Sequence, residues 1–208
     1  QIVMIPGGFS GGDEPDGSAK FITAFFRAPE VTEAVRIFFD RDGLMLGICN
    51  GFQALVKLGL VPYGDIVPMT DECPTLTFNT IGRHQSRLVR TRVASSLSPW
   101  LSECKVGGHS HPLLSAMVRA ALWQAPELIE KLIANGQVAT QYVDAEGKPS
   151  MDLSVNPNGS VLSIEGITVP MVVLGKMGHT ERSGAGLYRN IPDFTYQPLI
   201  EGGVEYFK

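Results

Sequence analysis

Strand, turn and helix signals meet in one stretch, Leu44-Met45-Leu46-Gly47-Ile48-Cys49-Asn50-Gly51-Phe52-Gln53-Ala54-Leu55. An apolar run ends there in a Gly-x-Cys-x-Gly motif, and a helical pattern follows at once. This order is typical of a nucleophile elbow, in which a strand delivers the nucleophile to a tight turn. The flanking glycines allow the backbone to fold closely around Cys49, and the N-terminus of the next helix is expected to lower the thiol pKa. The alternative is a buried, inert cysteine between two chance glycines.

The bulk composition describes a soluble globular chain, since 44% of its residues are hydrophobic and 18% are charged. The 208 residues fit one domain over 1–208. A net charge of -4 gives no electrostatic reason to expect nucleic acid or an anionic membrane as partner, and no apolar run approaches a membrane span. Because Gln1 is followed at once by a strand pattern, we predict a C-terminal fragment of a longer polypeptide.

The cysteine and histidine spacings argue against a metal site. Cys49, Cys73 and Cys104 are too far apart for a CxxC pair or a zinc pattern. His109 and His111 are two positions apart with no third ligand nearby. A working thiolate would be oxidised outside a reducing compartment, so a cytoplasmic location is predicted.

Strand and helix patterns alternate over the first part of the chain. Strands are predicted at 2–5 and 44–48, and helices at 18–27, 29–40 and 50–58. This order predicts an α/β fold with a mostly parallel sheet and helices on both faces. Active residues are expected at the carboxyl ends of the strands.

The second part of the chain has a more varied pattern. We predict extended structure over 75–93, a loop into an apolar helix over 109–124, a helix from 126 to 134, and strands at 137–143, 160–168 and 171–177. The stretch 144–160 is predicted to be a loop, and the tail after residue 182 has little regular pattern.

A glycine-rich loop and a histidine supply the partners that a cysteine nucleophile needs. The loop 6–13 has outward-facing amides able to cradle an anion or an oxyanion, although a flexible surface turn explains it equally well. Of the four histidines, His179 follows a strand end, as Cys49 does. Glu181 lies two residues on, where an extended segment places it on the same side as the imidazole. The alternative is a solvent-exposed His and Glu in a loop.

Six motifs together resemble one family. The order Cys…His-x-Glu after a Gly-Gly loop is similar to the class I (triad) glutamine amidotransferases, which have a flavodoxin-like fold. The fuller set resembles the glutaminase domain of formylglycinamide ribonucleotide amidotransferase, also called phosphoribosylformylglycinamidine synthase. The motifs lie at 6–10, 47–53, 79–84, 139–144, 156–160 and 178–182.

The resemblance implies a role for each matching residue of the catalytic centre. Cys49 would attack the side-chain amide of glutamine. His179 would protonate the departing ammonia and later activate water, with Glu181 holding the imidazole. The backbone N–H groups of Gly8 and Asn50 would form the oxyanion hole.

The resemblance also implies how the substrate and the partner are recognised. Gln53 would help to bind glutamine. Apart from the resemblance, the alternating pattern places Arg87, Arg90 and Arg92 on a solvated strand face. Arg83 is the exception and is the candidate to bind a carboxylate of the substrate. In the family, ammonia passes to a synthetase domain that uses ATP and Mg²⁺ to form the amidine in purine synthesis. This chain itself is expected to need no cofactor. The rival interpretations are another thiol hydrolase of similar fold and a catalytically silent fragment that docks onto the synthetase.

The chain departs from the family pattern in two places. The family's strand and helix before the Pro-Gly-Gly loop are missing, which predicts an unpaired, apolar sheet edge. Within the segment 109–124, the residues 115–124 replace the family loop Ser-His-Gly-Glu-Gly-Arg-Phe. One set of codons that encodes residues 115–124 can also be read in a shifted frame, starting at the third base of its first codon. In that frame it encodes the family loop followed by Val-Ala. We therefore hypothesise a local frameshift, which fails if the nucleotide sequence does not read so.

Overall fold

A computed structural model describes residues 1–8, 17–116, 120–170, 172–184, 186–191 and 193–208, with only the backbone described over 113–116. Its helices are α1 (Lys20–Phe26), α2 (Pro29–Asp40), α3 (Asn50–Leu58), α4 (Leu60–Tyr63), α5 (Pro126–Ala134) and α6 (Leu199–Glu205). Its strands are β1 (Ile2–Ile5), β2 (Leu44–Ile48), β3 (Thr75–Thr77), β4 (Gln85–Leu88), β5 (Thr91–Val93), β6 (His109–Ser110), β7 (Leu113–Ala116), β8 (Ala121–Trp123), β9 (Val138–Tyr142), β10 (Ile164–Val169) and β11 (Val173–Lys176). None of the helices in these ranges has the length and apolar content needed to cross a membrane.

The described strands form a seven-stranded sheet in the order β1-β2-β11-β10-β9-β5-β6. Two small antiparallel pairs, β3 with β8 and β4 with β7, accompany it. Strand β2 is buried over its whole length, as expected for a strand covered on both faces. Helix α3 packs against β1, β2 and β11, and α4 packs against β10 and β11.

The predicted α/β class is confirmed, but the expectation of a mostly parallel sheet is wrong. Strands β1, β2 and β11 are parallel neighbours. The pairings from β11 through β10, β9 and β5 to β6 are antiparallel. Only residues 170–172 join β10 to β11, which is too short for the crossover that a parallel pair requires. The sheet is therefore mixed.

Strand β1 forms an apolar edge of the sheet. Among the described strands its neighbour is β2, on one side only. Met4 on this strand is 42% exposed, and Phe21 and Phe25 on the adjacent α1 are 60% and 62% exposed. The predicted apolar edge is thus present in the structure.

Two segments differ from the sequence-based expectation. The segment 109–124 contains β6, β7 and β8 instead of an apolar helix, with 117–119 outside the described residues. A short apolar run does not distinguish a buried strand from a helix, and pairing with β3 and β4 selects the strand. The tail contains α6, which the sequence pattern concealed because Gly202 and Gly203 are poor helix formers.

Candidate active site

The elbow between β2 and α3 places Cys49 in a strained conformation. Its φ is 54° and its ψ is -106°, a combination that costs a non-glycine residue about 1–3 kcal/mol. A side chain on Gly51 would overlap the carbonyl oxygen of Ile5, and one on Gly47 would lie 2.8 Å from the Gly51 carbonyl oxygen. The close approach that the Gly-x-Cys-x-Gly motif predicts is therefore present.

Cys49 and His179 approach each other at Gly7, which lies just after β1. A Cβ atom there would lie 2.8 Å from Cys49 Cβ, 2.5 Å from His179 Cε1 and 3.1 Å from His179 Nε2. The nucleophile candidate and the imidazole thus both lie close to the position that a side chain at residue 7 would occupy. His179 itself is buried.

His179 is paired with Glu181 as the sequence predicts, but in a different local structure. The distance from His179 Nδ1 to Glu181 Oε1 is 2.5 Å. Residues 180–182 form a 3₁₀ turn, so the turn, and not an extended segment, brings the carboxylate to the ring. Burial alone would raise the pKa of Glu181, but the hydrogen bond and the charge interaction with His179 outweigh it, and the pKa is lowered. Glu181 therefore stays a carboxylate near neutral pH.

The Cys49 thiol is buried, and this reverses an expectation from the sequence. Burial raises its pKa from 9.0 to about 11, although hydrogen bonds from the backbone N–H groups of Asn50 and Gly8 act to lower it. That shift corresponds to about 3 kcal/mol, which exceeds the usual contribution of about 0.3–1 kcal/mol from a helix N-terminus. The thiol is neutral at rest and needs a base. The same two N–H groups are the predicted oxyanion-hole donors, and both face the sulfur.

A family model described as the CobB/CobQ-like glutamine amidotransferase domain matches residues 1–207. The chain belongs to this amidotransferase family. It is 37% identical over 185 residues to phosphoribosylformylglycinamidine synthase subunit PurQ of Symbiobacterium thermophilum, covering 87% of this chain and 69% of that protein. The identity to the subunit of the same name from Synechococcus elongatus is 36% over 190 residues, covering 89% of this chain and 72% of that protein.

The amidotransferase fold is shared with a solved structure, "Structure of PurLQS from Thermotoga maritima". The TM-score is 0.69 at 22% identity, over 100% of this chain and 80% of that one. The predicted α/β fold of a class I glutamine amidotransferase is therefore confirmed, as are the predicted family and the enzyme class.

Two further motifs of the amidotransferase chain meet in space. The Thr80 N–H donates to the Asn158 carbonyl at 3.3 Å, and the Ala120 N–H donates to Asn79 Oδ1 at 3.1 Å. Asn158 Nδ2 donates to the hydroxyl of the fully buried Tyr142 at 3.1 Å. The 79–84 and 156–160 motifs thus form one hydrogen-bonded unit, joined to the strand that contains Tyr142.

The predicted substrate residues of this amidotransferase differ in their placement. Gln53 is buried, at 1% exposure, one turn into α3. Arg83 is exposed, and in the described part of the chain its backbone carbonyl, not its guanidinium, takes part in a hydrogen bond. Both roles stay predictions. Positions 9–13 of the predicted glycine-rich loop lie outside the described residues.

Sequence reasoning did not assign a role to Lys176 or Glu165, two charged residues in the core beside His179. The available signal was a lysine at the end of an otherwise apolar strand pattern. Among the described residues there is no group of three or more His, Cys, Asp or Glu side chains suited to a metal ion.

Proposed function

We propose that this chain hydrolyses glutamine to glutamate and ammonia with the triad Cys49, His179 and Glu181. The ammonia then serves ATP-dependent formation of formylglycinamidine ribonucleotide in purine biosynthesis, the reaction of the synthase whose PurQ subunits are its relatives. The observation that carries the proposal is the convergence of Cys49 and His179 on Gly7, with His179 Nδ1 held by Glu181.

The neutral thiol determines the first step. Because the pKa of Cys49 is raised to about 11, His179 Nε2 acts as the base that takes the thiol proton while the sulfur attacks the amide carbon. The resulting oxyanion accepts hydrogen bonds from the N–H groups of Gly8 and Asn50, each worth about 3 kcal/mol in the transition state.

The remaining steps return the enzyme to its starting state. The imidazolium donates its proton to the leaving nitrogen, the C–N bond breaks, and ammonia departs from a glutamyl thioester. His179 then takes a proton from water as the hydroxide attacks the thioester carbon. The C–S bond breaks, the imidazolium returns its proton to the sulfur, and glutamate is released. Glu181 keeps the imidazole in the required tautomer and stabilises its charged form.

The proposed partners follow from the same chemistry. Glutamine is the substrate, with Gln53 and Arg83 as its proposed contacts, and the chain's own reaction needs no cofactor. A synthetase domain or subunit holds the ATP and Mg²⁺ and receives the ammonia. We propose a cytoplasmic location, with neither nucleic acid nor membrane as a partner, in keeping with the net charge of -4.

Glutamate release from glutamine by the purified chain tests the proposal. Cys49→Ala is expected to abolish it, whereas Cys73→Ser, a change at a partly exposed cysteine, is expected to leave the rate unchanged. Equal background rates from wild type and Cys49→Ala would favour the silent docking fragment. Activity against a peptide panel without glutamine hydrolysis would favour another thiol hydrolase.

A further inference from the structure

A buried ion pair lies directly beside the loop that contains His179. Lys176 is the last residue of β11 and Glu165 is on the neighbouring β10. Lys176 Nζ is 3.3 Å from Glu165 Oε1, and both side chains are 0% exposed. Charges removed from water in this way are costly unless all their hydrogen-bonding groups are satisfied.

Both charged groups bind the backbone next to His179. The Gly178 N–H donates to Glu165 Oε1 at 2.6 Å, and Lys176 Nζ donates to the Gly178 carbonyl at 2.9 Å. The pair therefore holds the N–H and the carbonyl of the residue that immediately precedes the imidazole. A Cβ on Gly178 would lie 2.9 Å from Glu165 Oε1, so the glycine permits this close contact.

The pair also holds the residue that follows the imidazole. Lys176 Nζ donates to Thr180 Oγ1 at 2.8 Å, and that hydroxyl donates to Gln197 Oε1 at 2.9 Å. The Thr140 hydroxyl donates to Glu165 Oε2 at 2.5 Å. Lys176 thus donates two hydrogen bonds, to Gly178 and Thr180, and forms its ion pair with Glu165. His179 is thus bracketed by two residues that the pair binds.

A buried ion pair is weak evidence for a role in stability, because apolar side chains of similar volume often stabilise a protein as well. We propose that Lys176 and Glu165 are positioning residues for His179. They fix the backbone on both sides of the imidazole so that Nε2 faces Cys49. This inference rests on the proposed glutaminase function, and it adds two residues that act through His179 without touching substrate.

The double variant Lys176→Met/Glu165→Leu tests the proposal because it removes both charges together and leaves neither unpaired. We expect it to fold with a lowered thermal midpoint, because the buried Gly178 N–H and Thr140 hydroxyl lose their acceptor. Its kcat for glutamine is expected to fall about 10- to 100-fold, the usual result of a misplaced catalytic group, while KM stays nearly constant. A role confined to stability would leave kcat of the folded fraction unchanged.

Thr168→Val is the matched control. Thr168 is buried on β10 and donates to the Val173 carbonyl at 2.8 Å, at the other end of the same strand pair. This variant is expected to lose stability and to keep the wild-type kcat. If the double variant does not fold, Thr180→Val removes a single acceptor of Lys176 and is expected to lower kcat in the same direction.

A second readout does not depend on glutamine. Alkylation of Cys49 by iodoacetamide, resolved by mass spectrometry, reports whether the imidazole reaches the thiol. We expect the double variant to react as slowly as His179→Ala at neutral pH. Wild-type alkylation and kcat in the double variant, or wild-type alkylation in His179→Ala, would overturn the positioning role. Turnover that persists in Cys49→Ala would instead overturn Cys49 as the nucleophile, and no glutamine turnover by the wild type would overturn the proposed function. The alkylation result tests the positioning role in either case.

Discussion

Cys49 combines a strained backbone, with φ 54°, and a thiol whose pKa burial raises to about 11. These two properties have different origins. The strain comes from the local strand-to-helix turn, whereas the pKa comes from the surrounding core. A buried thiol of this kind reacts only when a base removes its proton, so the reactivity of Cys49 depends on His179.

The thiol pKa predicts how Cys49 behaves without its base. In His179→Ala, half-maximal alkylation of Cys49 is expected near pH 11, the value that burial produces, and well above the ordinary 9.0. Because the pKa is raised in the folded state, the neutral thiol stabilises the fold below pH 9, and this contribution is lost as the pH rises toward 11. Rates of iodoacetamide modification against pH, resolved by mass spectrometry, measure the midpoint.

Cys73 is the internal control for this titration. Burial would raise its pKa, but hydrogen bonds from the Thr70 hydroxyl and N–H outweigh it, and the pKa is lowered. Cys73 is therefore expected to react at lower pH than Cys49 in the same sample. The reverse order would contradict the burial argument.

The contacts around Gly7 predict that a side chain at this position lowers the rate. In Gly7→Ala the new methyl group would lie 2.5 Å from His179 Cε1 and 2.8 Å from Cys49 Cβ, so it separates the two side chains. Glutamine kcat is expected to fall about 100-fold, as measured by glutamate release. Gly184→Ala is the control, since no described atom lies within 4 Å of its Cβ position. Equal rates in the two variants would show that the site tolerates the methyl group.

At the scale of elements, the local sequence pattern predicted a helix or strand correctly wherever the hydrophobic period is strong or a capping residue marks the end. The sequence placed α2, β2 and α3 correctly, and α3 ends at Gly59 with φ 88° as expected. It did not identify α6 or the strands within 109–124. Both depend on partners far away in sequence, since β8 pairs with β3 and α6 packs on Trp100.

Helix α6 yields a prediction about packing. A side chain on Gly203 would collide with the ring of the fully buried Trp100. Gly203→Val is therefore expected to destabilise the protein by about 1–3 kcal/mol, which thermal unfolding measures. Glu205→Ala changes an exposed residue of the same helix whose ion pair with Lys208 is on the surface, and it is expected to have little effect. Equal thermal midpoints for the two variants would refute this packing role.

At the scale of the whole molecule, the mixed sheet brings four chain segments to one place. The end of β1 contributes Gly7 and Gly8, the elbow contributes Cys49, and the turn after β11 contributes His179. The parallel neighbours β1, β2 and β11 all end at this edge. The antiparallel part supplies Glu165 on β10, beneath the His179 turn.

Because this chain is proposed only to supply ammonia, glutamine hydrolysis and amidine formation are expected to be separable in the complete enzyme. With the synthetase present, Cys49→Ala is expected to lose amidine formation from glutamine and to keep the wild-type rate with added ammonium, because only the source of ammonia is removed. The amidine product is measured with each nitrogen donor. Glutamine-dependent product formation in Cys49→Ala would contradict the proposed nucleophile.

The elbow, the His-x-Glu pair, the family and the α/β class were all readable in the sequence, because short-range spacing and glycine positions encode them. Three features were settled by tertiary packing. The thiol pKa reflects desolvation by a core assembled from distant segments. The meeting of Cys49 and His179 at Gly7 requires three strand ends to converge. The Lys176–Glu165 pair exists because β10 and β11 run side by side. Burial and strand pairing are properties of the folded chain, and no local pattern carries them.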